Sequence, residues 1–536
     1  LLLAVLGWAA AGVAVAAGGA DRQAALQARL DALRGASAPL VAGEALHRPR
    51  ELRRTYVALG HEPIWVRAWG GRALDELVRA IDAAVADGLV PAHYHREALD
   101  ALRRAPSSLE AAADLELLAS DAFLLLASHL AAGKIEPGAL RALQPALGAR
   151  PASREALLRV ARGASPAAVL EGLRPRHPAY ADLQRRLREL RSLARHEPPP
   201  VAAGRALRPG DESERVAGLR RRLWWLGDVA APGPPDARAH YDLALKRAVE
   251  AFQERHGLRV DGIVGERTRA AANLGAEARL DRLRVNLERM RWLPPSLGEP
   301  YVLVNIADFR LQYVAPGTEV LEMRAVVGEP DRPTPVLASA ISEVVLNPSW
   351  WVPRSIAVEE LLPRLRAEPA GVEGEGFVAV HRGAEGLAPT AVDWAPYSPD
   401  AFPFRLRQLP GAGNTLGRVK FLFPNPHAVY LHDTPARHGF AREVRALSHG
   451  CVRLQDALAL AYRLLGITPG SDDDPIPGIL ASGEERSLPL ERPVPVYLLY
   501  FTAWSENRSI QWREDVYARD WRVLQGLARE PVLAAR

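Results

Sequence analysis

The sequence predicts a multidomain α+β protein, with a helical N-terminal part, a small three-helix module and a mostly β C-terminal part that carries a helical insertion. Three observations predict this. A chain of 536 residues with 48% hydrophobic content can bury two or three cores. Near residue 301 the apolar period changes from helical to two. The proline-rich break HEPPPVAAG at 196–204 separates two different helical patterns. The charge balance of 68 basic against 63 acidic residues leaves only +5, which is too even to argue for a nucleic-acid partner.

Residues 1–20, LLLAVLGWAAAGVAVAAGGA, form an apolar run followed by small residues, and Ala14–Val15–Ala16 fits the small-x-small pattern of a signal-peptidase site. An export signal is expected. An uncleaved N-terminal membrane anchor is the alternative, since a span needs about 20 apolar residues. The chain begins at Leu1 without a basic flank, so its start is expected upstream. No later stretch reads as a membrane span.

Residues 40–195 read as a helical scaffold. Leu74, Leu77, Val78, Ile81 and Val85 recur at helical spacing before Gly88 and Pro91. Leu118, Phe123, Leu126 and Leu130 do the same before Gly133 and Pro137. No cluster there suggests chemistry. Residues 205–275 hold VAGLRRRLWWLG, a proline-rich loop at 231–235 and ALKRAVEAFQERHGLRVDGIVGERTRAAAN. These predict a compact three-helix module over 213–273 with Gly257, Gly262 and Gly265 as terminators. Its aromatic residues Trp224, Trp225 and Tyr241 suit either core or surface. A helix with Leu280, Leu283, Leu287 and Met290 on one stripe then leads into a β region, 280–505, through YVLVNI, RLQYVA, VLEMRAVVG, ISEVVLNP, HAVYLHD and VPVYLLYFTAW. A helical, glycine-containing insertion at about 355–405 suits a cap over a site. Residues 506–536 are read as a C-terminal tail.

The only cysteine lies in ALSHGCVRL, 446–454. In an oxidising compartment one cysteine can form neither an internal disulfide nor a CxxC metal site. A buried structural thiol is the commonplace explanation. The neighbours favour chemistry instead, because a thiolate is a nucleophile whose pKa falls beside a histidine or a helix N-terminus. RLQDALALAYRLLG after Cys451 has helical spacing, which places Cys451 just before a helix start. Gly450 allows close backbone approach, and N–H groups near 449–451 could hold an oxyanion. His432 in VYLHDTP ends a strand and is the candidate base. Asp433 could orient the imidazole through its carbonyl, or cap the turn before Pro435.

HDTPARHGFAREVRALSHGCVRL resembles the signature of the L,D-transpeptidases, the YkuD-type catalytic domain, in which a histidine precedes an S-H-G-C-x-R element. Segments such as LRVNLERMRWLP, RQLPGAGNTLGRVKFLFPNPHAVYLHDTP and YFTAWSENRSIQWREDVYARD resemble the YcbB-type subfamily. AFQERHGL, DGIVG and Thr268 in 213–273 resemble a peptidoglycan-binding domain, and EPIW, DGLVPAHYH and HLAAGKIEP resemble that subfamily's scaffold domain. The resemblance implies Cys451 as nucleophile and His432 as base and later acid. It implies Gly450 and Cys451 as oxyanion N–H donors, with His449 shaping the loop and Ser448 supporting it. Arg453 would meet a substrate carboxylate or fix the loop. ARHGF at 436–440 departs from the lysine- and leucine-like sequence the family leads one to expect.

The implied reaction is acyl transfer from the diaminopimelate–D-Ala bond of a tetrapeptide stem to a second stem's diaminopimelate amine, forming 3-3 cross-links. It needs no metal or cofactor. Peptidoglycan stem peptides are thus the implied donor and acceptor, with glycan strands at 213–273 and other wall synthases as further partners. The implied location is the periplasm, and carbapenems would acylate the thiol. Hydrolysis, as an L,D-carboxypeptidase, transfer to another amine and a non-catalytic wall-binding scaffold remain the alternatives.

Overall fold

The computed structural model describes residues 18–34, 39–65, 71–104, 108–135, 153–230, 239–381 and 384–531. Of the expected export segment only residues 18–20 fall among these, so that expectation lies outside the described residues. The scaffold is built around the helix Leu109–Ala132, started by Ser108, whose hydroxyl accepts the Ala111 N–H. By length and composition this helix could cross a membrane. It does not read as a span here, because 83% of its apolar stretch is buried inside the protein.

The few polar groups on that helix are committed to pinning loops around it. Glu116 accepts from the backbone N–H groups of Ile64 and Trp65 and from the Tyr56 hydroxyl. Asp121 accepts the backbone N–H groups of His47 and Arg48 and pairs with both the His47 and His95 rings.

The small module has helices Glu214–Leu226, Leu243–Arg255 and Glu266–Ala272, as expected. Of the three aromatic residues named above, Trp225 and Tyr241 are core, the Tyr241 hydroxyl donating to the Gly262 carbonyl, while Trp224 is 46% exposed. Its core is shared with the helices Pro178–Leu193 and Ala276–Arg291 and with the hairpin Ala503–Glu506/Ser509–Trp512. The module is therefore docked along its inner face.

The C-terminal sheet has nine strands: β1 Tyr301–Asn305, β2 Arg310–Val314, β3 Leu321–Gly328, β4 Leu337–Leu346, β5 Val419–Leu422, β6 Leu431–His432, β7 Ala446–Ser448, β8 Val452–Leu454 and β9 Arg486–Leu499. Their order is β7-β3-β8-β6-β5-β4-β9-β1-β2, and β2 also pairs with β3, so eight strands close on themselves with β7 alongside. Closure removes open edges and buries Val302, Leu311, Ala325, Val344, Phe421, Leu431, Val452 and Leu498 inside.

Three expectations need correcting. The insertion, Trp350–Gln408, is not simply helical. It holds a four-stranded sheet in the order 350–351, 405–408, 377–381, 384–387 together with short helices, around its own core of Trp350, Leu365, Phe377, Trp394 and Phe404. Its helical part, Arg354–Ala367, contains a π turn at Ala357–Leu361. Pro363 explains the wide turn, since it cannot donate to the carbonyl of Glu359 four residues earlier. Second, residues 506–531 are not a tail. The helix Asp520–Ala528 packs Val523 and Leu527 into the scaffold core, and Asp520 pairs with Arg289. Third, Cys451 precedes a strand, β8, and the helix begins only at Ala457, capped by Asp456.

Candidate active site

Register places the predicted residues together. β6 and β8 are parallel, with Leu431 beside Val452 and His432 beside Arg453. Side chains alternate along a strand, so Leu431 and Val452 point into the core while Tyr430, His432, Cys451 and Arg453 share the opposite face. β5 is antiparallel to β6 and sets Lys420 beside His432. A row Lys420–His432–Arg453 thus crosses three strands, with Tyr430 and Cys451 alongside.

His432 is buried, and its Nδ1 donates to the carbonyl of Asp433 at 2.5 Å, which leaves Nε2 as the atom able to take a proton. Burial, then the Arg453 charge, push the ring's pKa down to about 3 against the pull of the Asp433 carbonyl. The Asp433 carboxylate accepts the Arg418 N–H at 2.9 Å and an Arg437 N–H at 3.2 Å. Asp433 therefore serves both readings the sequence left open, orienting the imidazole through its backbone and fixing the turn through its side chain. Gly417, at φ +62°, leaves the space that carboxylate occupies.

Cys451 is half-buried. Burial pushes its thiol up, opposed by hydrogen bonds from the backbone and hydroxyl of Tyr430 and by the charges of Lys420 and Arg453. A lowered thiol pKa at a helix N-terminus is therefore not what the fold provides. Thiol and imidazole are each pushed toward the neutral form. Tyr430 stands edge-on to His432, 5.7 Å between ring centroids, and Trp350 of the insertion slightly offsets the rise that burial gives its hydroxyl pKa.

The turn before the thiol is held from below. Ser448 Oγ donates to the Cys451 carbonyl at 2.5 Å and accepts the Gly450 N–H at 3.2 Å. This corrects one expectation: the Gly450 N–H is already used, so it is not a free oxyanion donor. The backbone N–H groups of Cys451 and His449 have no partner among the described residues. Gly450 has φ +111°, which a side chain would strain. Its carbonyl accepts from Thr334 Oγ1, which also accepts the Gly328 N–H, both at 2.8 Å. The Tyr517 hydroxyl completes this weave at the Gly328 carbonyl. His449 is exposed, its Nε2 2.5 Å from Glu360 of the π turn, and Glu359 and Glu360 both pair with Arg332. Arg453 is half-buried, and its Nε has no partner among the described residues.

Sequence reasoning missed Lys420, Tyr430, Trp350, Thr334, Glu360 and Tyr517. Only Tyr430 carried a local signal, since Tyr430 and His432 stand two apart in a strand. A cleft of about 2560 Å3 lies among the scaffold, the small module and β1, and Cys451 is not among the residues that line it.

Residues 299–479 match the family described as "L,D-transpeptidase catalytic domain" (YkuD), residues 50–187 a "Scaffold domain" and residues 212–272 a "Putative peptidoglycan binding domain". A protein of Haemophilus influenzae named "Putative L,D-transpeptidase" is 37% identical over 242 residues, 45% of this chain and 48% of that protein. The chain thus spans about half the length of that relative. A solved L,D-transpeptidase structure from Xylanimonas cellulosilytica is 16% identical, covers 56% of this chain and 100% of its own, and has a TM-score of 0.18. One from Stackebrandtia nassauensis is 15% identical, covers 56% and 96%, and has a TM-score of 0.21. Nothing further rests on likenesses so slight. The resemblance and the multidomain α+β class read from the sequence agree with the family matches and with the separate cores.

Proposed function

We propose, for a chain that carries an L,D-transpeptidase catalytic domain at residues 299–479, that it forms 3-3 peptidoglycan cross-links through Cys451. The observation that carries this reading is the shared face of Cys451, Tyr430 and His432 on adjacent strands, with Nδ1 of His432 held by a carbonyl.

Sγ attacks the carbonyl of the diaminopimelate–D-Ala amide while His432 Nε2 takes the thiol proton. The oxyanion is held by the Cys451 N–H, with the His449 N–H in reach of the same turn. Nε2 then gives its proton to the departing D-Ala amine, leaving a thioester. The acceptor amine attacks that thioester and passes a proton back through Nε2 to sulfur, so thiol and imidazole are both regenerated. Restricting water favours an amine acceptor, a role suited to the insertion joined to the nucleophile turn through Trp350 and Glu360. No metal enters these steps. We further propose export to the periplasm and acylation of the same thiol by carbapenems.

Intact mass spectrometry with purified disaccharide-tetrapeptide tests the reading. An adduct on Cys451 with dimers joined at third residues supports it. Tripeptide alone would instead mean a carboxypeptidase. No adduct on a reduced thiol would sink the catalytic reading.

A further inference from the structure

Only three of the 68 basic residues in this chain are lysines, at 134, 246 and 420. Lys246 pairs with Glu250, and Lys134 holds the His93 ring and the carbonyls of Leu527 and Arg529. Lys420 does neither. It stands in register with His432, and its Nζ lies 4.2 Å from the centroid of the Tyr430 ring. It has no carboxylate within ion-pair distance among the described residues.

Lys420 is half-buried, and burial lowers its pKa, opposed by the negative charges of an ionised Cys451, Glu485 and Glu343. A half-desolvated cation without a counter-ion is unfavourable until an anion arrives. The choice of residue also matters. An ammonium is a compact point charge, whereas a planar guanidinium presents a wide fork. In a chain that uses arginine almost everywhere, a lysine stands in the row beside His432 and over the Tyr430 ring.

We propose that Lys420 binds the α-carboxylate of the leaving D-amino acid in the donor stem. This rests on the transpeptidase reading above and names what that site recognises. The carboxylate carbon of a single residue beyond the scissile bond is three bonds, roughly 3–3.7 Å, from the scissile carbonyl carbon. Each further residue moves it about 3.3–3.6 Å away. Lys420 is thereby a ruler for donors that end one residue after the bond to be broken. Arg453, on the other flank of His432, is left for the remaining substrate or for the loop.

The test compares acylation of Cys451 in the full chain by tetrapeptide donors ending in a free carboxylate or in a carboxamide. The wild type is expected to prefer the free acid by about 30-fold, the loss usual for one charge-assisted hydrogen bond. Lys420→Gln removes a charge that also favours the thiolate and so slows both donors, but it is expected to cost the free acid more by that factor and so bring the ratio of the two close to one, while Lys420→Arg retains a preference for the acid. A wild-type ratio near one overturns the proposal without any variant. An equal loss on both donors also overturns it, since Lys420 would then act on the thiol alone. Acylation by neither donor in the wild type would instead remove the transpeptidase reading, and this proposal with it.

Discussion

Tyr430 lies beside Cys451 across two paired strands, where its backbone and hydroxyl favour the thiolate, and that effect is open to direct measurement. Removing the hydroxyl in Tyr430→Phe takes away a donor that favours the thiolate, so the thiol pKa should rise further. Alkylation of Cys451 by iodoacetamide, followed against pH, should shift to higher pH, with acylation about tenfold slower. The base sets a second expectation. Its pKa of about 3 keeps His432 neutral throughout the physiological range, and the raised thiol remains protonated there. The acylation rate of the free enzyme should therefore be flat from about pH 5 to 8. An inflection near 6.5 would show that His432 titrates like a solvated histidine.

Among the elements, the insertion's π turn joins the site most directly, through Glu360 to His449 and Arg332. Those contacts are partly exposed, so Glu360→Ala should move Tm by less than about 2 °C. If the insertion restricts water, the same variant should raise tripeptide relative to cross-linked dimer, read by product chromatography. The long strands were legible in the sequence because alternation in YVLVNI or VPVYLLY leaves no helical solution. β8 was not, since its three residues lead straight into helical spacing at 457–465. The Asp456 side chain that caps that helix was the signal overlooked. The insertion's strands, two to five residues long, are too short for periodicity to register. Cys451, His432, Ser448 and Asp433 could be singled out from local chemistry and family resemblance. Lys420, Thr334 and Tyr517 could not, because only pairing across the sheet and chain return bring them near.

At the scale of the whole molecule, buried histidines set the acid limit. His129, His256 and His432 are each held below the ordinary value of 6.5, chiefly by burial. Unfolded, these rings take up a proton near pH 6.5, but folded they do not until far lower pH. Stability is therefore full above about 6.5 and falls as pH drops, by about 1.4 kcal/mol per pH unit for each ring. His95 opposes this: Asp121 and Glu44 overcome its burial and raise it, so its contribution is present below 6.5 and lost as pH rises. Three rings outweigh one, and Tm should decline steadily from pH 6.5 to 4.5. The C-terminal helix should matter as much as any core element. Truncation after Arg519 removes the Asp520–Arg289 pair and the buried Val523 and Leu527. It should destabilise the scaffold by more than about 3 kcal/mol, seen as a lower urea midpoint. The hydroxyl of Tyr517 beneath the nucleophile turn also has a bearing on timing. A ribosome delivers Cys451 well before Tyr517, so the growing chain holds its reactive sulfur for 66 residues before the last brace of the turn exists. A polypeptide ended before Tyr517 would carry ALSHGCVRL without that last brace of the turn.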